Sequence, residues 1–217
     1  MKKLLLLSQE NFMETIKLRP ELLQHPTIPK ALQGINPRTI MGPMDWEDVR
    51  YETINKQDDK CLACGHKEKL ECHEVYNINY LTGEVKFVEF VGLCVKCHRF
   101  IHSGLLKILY KTNKITKQYY ENAMIHGLIT LANAGLEPHV ITLIDWLYHS
   151  ESLSSSEIGK RLTVEQYKQY CDVMDTKVKW ESWYMLYHGK KYYSKFKSMK
   201  EWELYYRRKQ WLNHLNH

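Results

Sequence analysis

An α+β architecture built round a small cysteine-stapled finger is what this sequence predicts, and three observations predict it. Two Cys-x-x-Cys pairs, Cys61/Cys64 and Cys94/Cys97, have 29 residues between them. Within that interval two β-like runs, 70–80 and 84–93, are split by Leu81-Thr82-Gly83, a hairpin signal. Beyond it, apolar residues recur at helical spacing through most of the chain.

Taken in order, residues 1–19 suggest a short helix with Leu5, Phe12 and Ile16 on one side. Residues 20–43 hold five of the six prolines, which remove amide donors and disfavour α geometry. An extended arm is expected there, wrapping the domain, with Lys30 and Arg38 within reach of phosphate. Asp45 reads as the N-cap of a helix to about Gln57 that turns Trp46, Val49, Tyr51 and Ile54 inward. After the hairpin, 95–101 reads as helix, with Gly104 as its stop. Another helix is expected over 115–133 from Tyr119, Tyr120, Ala123, Met124, Leu128 and Ile129, ending at Gly135. Pro138 fits a first helical position ahead of Val140, Ile141, Leu143, Ile144 and Leu147. Thr163-x-x-Gln166 has the form of a capping box opening 164–174. Residues 183–187 and 192–196 flank His188-Gly189-Lys190-Lys191 as a hairpin, and Ser198-x-x-Glu201 caps a last helix. Four units are thus expected: an N-terminal helix and arm (1–44), the finger (45–104), a mainly helical stretch (105–176) and a basic aromatic hairpin and helix (177–217).

Hydrophobic content of 44% and charged content of 26% are those of a soluble globular protein. The opening run of four leucines is too short for a secretory core, and no stretch is long enough to span a membrane. A cytoplasmic location is expected, where paired cysteines bind metal more often than they form disulfides. No Gly-rich phosphate loop is present, which argues against an NTPase. The net charge of +6 lies wholly in 175–217, where ten Lys/Arg face four Asp/Glu. Such a surplus suits a nucleic-acid backbone or another polyanion as partner. The expected contacts are Lys190, Lys191, Lys195, Lys197, Arg207, Arg208 and Lys209, while most of the neighbouring aromatics are expected to pack a core. A solubilising basic tail is the plainer alternative.

Four thiolates from two tight turns match the tetrahedral demand of a structural Zn2+ ion. His98 and His102 stack one turn apart on the following helix, where they suit a second, open-sided ion. His73 lies on the first strand, and folding the hairpin onto the helix brings this candidate base beside that ion. His66 is placed either against a thiolate or in solvent. His126, His139 and His149 are read as structural, and Cys171 as a buried apolar residue.

Cys-x-x-Cys, then His73-Glu74 on a strand, then Leu-Cys-x-x-Cys-His-x-x-x-His on a helix resembles the HNH endonucleases with a ββα-metal fold. The likeness covers about 45–104 and is to the variant whose finger is stapled by four cysteines, in bacterial and phage-type members with a Pro-rich arm and Leu-Glu-x-His-Glu. The resemblance implies metal-dependent cleavage or nicking of DNA. It makes His73 the general base and His98 and His102 the holders of a catalytic divalent ion, Mg2+, Mn2+, Ni2+ or Zn2+. The family commonly has an Asp or His ligand just before the base, and Cys72 stands there. A thiolate suits zinc and suits magnesium poorly, with Glu71 or water as a substitute. Glu89 occupies the place of the family's middle asparagine, from which it would orient His73. The alternative is a non-catalytic, zinc-stabilised nucleic-acid-binding protein, and a third is a protein-binding module using the aromatic tail.

Overall fold

The computed structural model describes residues 17–24, 28–79, 82–136 and 178–215, and of 209–215 the backbone alone. The expected N-terminal helix, the helices after Pro138 and Thr163, Cys171, His139 and His149 lie outside these residues, as does the Lys209 side chain. What is described is a mixed α+β structure with one four-stranded sheet, ordered β1-β2-β3-β4. The strands are β1 (Leu70–Asn79), β2 (Glu84–Cys94), β3 (Tyr184–Tyr187) and β4 (Lys190–Tyr193). The helices are α1 (Pro37–Met41), α2 (Pro43–Asn55), α3 (Val95–Ile101), α4 (Ser103–Lys111), α5 (Lys117–Asn133) and α6 (Met199–Leu215). None of them is long and apolar enough to cross a membrane.

The finger hairpin forms where expected, with β1 antiparallel to β2 from Leu70↔Cys94 to Asn79↔Glu84. Between the pairs Val75↔Glu89 and Tyr76↔Phe87, β2 carries one residue more than β1. This bulge resets the alternation of β2, so Phe87 and Val85 lie on the same face as Tyr76. Two cores result. One holds Val75, Val91 and Leu93 with Phe100, Leu106, Tyr120, Met124 and Leu131 of the helices, closed by Leu22 and Leu23. The other holds Tyr76 and Val85 with Trp183, Met185 and Tyr187 of the C-terminal hairpin and Ala31, Leu32 and Ile35 of the arm. Of the tail aromatics, Trp183 and Tyr187 are buried in this core and Trp180 and Tyr192 pack against it, while Tyr193 and Tyr205 are exposed.

The C-terminal hairpin turns through His188 and Gly189, both at positive φ, and β3 pairs in parallel with β2 from Glu84↔Tyr184 to Lys86↔Leu186. The hairpin and the cysteine finger thus share one sheet. Local sequence could not show this, because parallel pairing depends on a long connection. The arm is not simply extended. It contains 3-10 turns at Pro20–Gln24 and Lys30–Leu32, and α1, whose Asn36 and Thr39 form a reciprocal cap. Prolines at first-turn positions permit this, since their missing N–H has no helical partner there. For the same reason α2 starts at Pro43, two residues before Asp45, and Tyr51 points to solvent. Gly104 is not a stop. α3 ends at Ile101 with His102 as its cap, and Gly104 sits inside α4.

Helix α5 begins at the Thr116 cap, whose side chain accepts from the Tyr119 N–H, and Tyr119 itself is exposed. Helix α5 approaches α3 at Gly127, where an added Cβ would lie 2.2 Å from the ring of Phe100. Phe100 is fully buried. Packing of this kind is worth roughly 3–5 kcal/mol for a phenylalanine, and a glycine leaves room for it. This contact fixes α3, which carries His98 and ends at the His102 cap, against α5. At the other end, Glu201 accepts from the Lys197 N–H and donates its own N–H to Ser198, so the expected box opens α6.

Candidate metal centres

The four cysteines converge. Cys61, Cys64, Cys94 and Cys97 form one group whose sulfurs all lie within 4.8 Å of one another. The two turns are brought together by backbone. Cys61 N–H donates to the His66 carbonyl and Gly65 N–H to the Cys61 carbonyl, with Gly65 at φ +78°. Leu62 N–H donates to the Gly92 carbonyl on β2. The buried Gln57 amide spans the same place, accepting from Gly92 N–H and donating to the Gly92 and Lys60 carbonyls. Its side chain therefore imitates a neighbouring strand. On the far side Cys94 caps α3, its sulfur accepting from Cys97 N–H at 3.5 Å.

The Cys64 and Cys94 sulfurs are 3.7 Å apart, and the described cysteines are free. A tetrahedral ion with bonds of about 2.3 Å to sulfur separates its ligands by about 3.8 Å, so the spacing fits zinc. The chemistry fits as well. Cys61 is held far below the ordinary thiol range by hydrogen bonds from Cys64, Cys94 and Cys97. Cys94 and Cys97 are pushed far above it, each chiefly by its bond with Cys61. Cys64 is lowered as well, its bond with Cys61 opposing those from Cys94 and Cys97, so two thiols ionise beside two that keep their protons. Releasing those protons inside a buried space needs a thiophilic cation. The cluster can hold a structural metal ion such as zinc.

The three finger histidines also converge. His73, His98 and His102 form a second group within 4.8 Å, with ring centroids 5.2, 5.1 and 4.8 Å apart. Burial is graded across it. His73 is 2% exposed, His98 is half-buried and His102 is exposed, so the cluster opens at the α3–α4 junction. Strand alternation explains the depth of His73, which shares a face with Val91, its partner in register.

The carboxylate that reaches this cluster is Glu71, not Glu89. Glu71 Oε2 lies 2.5 Å from His98 Nδ1, and Arg99 lies 3.8 Å from the other Glu71 oxygen. Glu71 precedes His73 by two residues and so shares its face, a signal that was present in the sequence. This bond fixes the ring of His98 and leaves Nε2 to meet an ion. Glu89 instead accepts from Arg19 at 2.6 Å, and Arg19 is pinned by its own N–H to the Leu62 carbonyl. Cys72 must also be corrected. Being adjacent to His73 on a strand, it faces the other way, toward Thr53 and Arg50 of α2, and burial raises its thiol to about 11. It does not join the imidazoles.

His126 of α5 lies 3.4 Å from the Cys97 sulfur, with His66 beside it at a ring separation of 5.3 Å. Spacing along the chain gave no hint of this, because α5 is returned to the cysteines only by packing on α3. The basic residues Lys190, Lys191, Lys195, Lys197, Arg207 and Arg208 are exposed. Lys191 lies over Tyr184 at 4.2 Å and Arg207 meets Glu203 at 3.8 Å. Comparison with protein-family models, curated proteins and solved structures gives no match to this chain.

Proposed function

We propose that the chain is a metal-dependent endonuclease of the HNH type that cleaves or nicks DNA, with a ββα-metal finger as its catalytic module. The observation that carries the reading is the convergence of His73 from β1 with His98 of α3 and His102 at its C-cap in a cluster that opens at one end. His98 and His102 would hold a divalent ion, and His98 is steadied for this by Glu71. Such an ion, when bound, supplies charge stabilisation to the phosphoryl oxygens and the leaving 3′-oxygen. His73 accepts the proton of the attacking water at a ring nitrogen. The exposed lysines and arginines of β4 and α6 suit the flanking phosphates.

The test is nicking of supercoiled plasmid with Mg2+, Mn2+, Ni2+ or Zn2+. His73→Ala should lower the rate by about 10²–10⁴-fold while bound zinc is unchanged. Cleavage that persists at the parental rate would remove His73 from the base role. A second reading, a non-catalytic nucleic-acid-binding protein, draws on Glu89 and Cys72 lying away from the roles the family pattern gives them. It expects salt-sensitive DNA retention that survives EDTA and no nicking with any of these ions.

A further inference from the structure

Cys64 belongs to two ligand groups. Besides its place among the four sulfurs, it forms a group with His66 and His126 in which the ligand atoms all lie within 4.8 Å. The two histidines come from different parts of the chain, the first knuckle and the middle of α5. They line one side of an open pocket of about 450 Å3, with Leu18, Pro20 and Ile129 among its walls. Cys61, Cys94 and Cys97 are fully buried, whereas Cys64 is only half-buried and also lines this pocket. His126 Nε2 stands 3.4 Å from the Cys97 sulfur and 3.9 Å from that of Cys94, so the imidazole covers the cluster where it meets the pocket.

Four thiolates round one divalent ion leave two negative charges uncompensated, and a thiolate bound to one such ion keeps lone pairs for another. A second cation at the open side would relieve that charge. One thiolate and two imidazoles suit zinc, cobalt(II) or cadmium better than magnesium or calcium. We propose that Cys64, His66 and His126 bind a second thiophilic divalent cation, bridged through the Cys64 sulfur to the ion of the four cysteines and exchangeable through the pocket. Three protein ligands leave a position for water or an incoming ligand, as in open zinc sites. The finger would then carry a port through which its structural metal is loaded.

The experiment is a Co2+ titration of the full chain carrying His98→Ala and His102→Ala, which removes the other histidine site from the count. Two equivalents should bind. The second should add sulfur-to-cobalt charge-transfer absorbance, because a thiolate enters its shell. Adding His66→Ala, at an exposed position, should abolish the second equivalent and leave the first, and His126→Ala should do the same. The proposal is overturned by uptake of a single equivalent. It is also overturned by a second equivalent that brings no new thiolate absorbance or ignores both substitutions. Loss of the first equivalent in His126→Ala, with both kept in His66→Ala, would reduce His126 to a hydrogen-bond donor to Cys97 and overturn it too.

Discussion

The sulfur cluster and the imidazole cluster share helix α3 and are joined by the peptide bond between Cys97 and His98, yet they are enclosed in opposite ways. The sulfurs are drawn from two turns that Gln57, Leu62 and Gly92 lock together, and three of the four are fully buried. The imidazoles run from the buried His73 to the exposed His102. Enclosure by backbone suits a cluster to holding an ion, and on the proposed reading the gradient of burial suits its neighbour to exchanging one.

The contrast breaks most visibly if the sulfurs are disturbed. Chelation of the tightly held ion, or Cys97→Ala, should unfold the finger, removing metal-linked folding free energy on the order of 10 kcal/mol. Circular dichroism with metal analysis reads this, and a native spectrum without zinc would show that the first core stands unaided. His102→Ala should do the reverse. It should abolish binding of the exchangeable ion at the histidine cluster, leave the zinc, and shift stability by no more than about 0.5 kcal/mol. Parallel unfolding and metal titrations separate the two outcomes, and loss of zinc in this variant would merge the sites.

Glu71→Gln sharpens the comparison more gently. Weakened support of His98 should lower affinity for the exchangeable ion by about 10–100-fold, measured by calorimetry, with nothing lost at the sulfurs. Cys72→Ala should give the smallest effect, since its thiol faces α2, and both ions should bind as before. Its signature is in pH dependence. Burial raises the folded thiol from 9.0 to about 11, so the folded state keeps a proton that the unfolded chain releases. That contribution is complete below about pH 9 and disappears as pH rises through about 11. In Cys72→Ala that part of the alkaline decline should be absent from denaturation curves.

Much of the site was legible because its spacing is local. Paired cysteines, a strand histidine and two histidines one helical turn apart each depend on neighbours within a few residues. The period of two along β1 also held more than was read from it. It puts Glu71 with His73 and turns Cys72 away, which a motif aligned by position alone obscures. The arm was misread as extended because prolines were weighed as breakers and not as first-turn residues.

Local sequence was enough for the parts of the finger: the turn of its hairpin, each Cys-x-x-Cys pair, the two histidines one helical turn apart, and beyond it the cap at Ser198, all set by hydrogen bonds and periodicities that span under ten residues. Tertiary structure alone decided that β3 joins β2, that a bulge splits the sheet into two cores, that Arg19 takes Glu89, and that His126 meets the sulfurs. These contacts join segments tens of residues apart. Their partners are chosen by which surfaces must be buried together, and no local pattern records that choice.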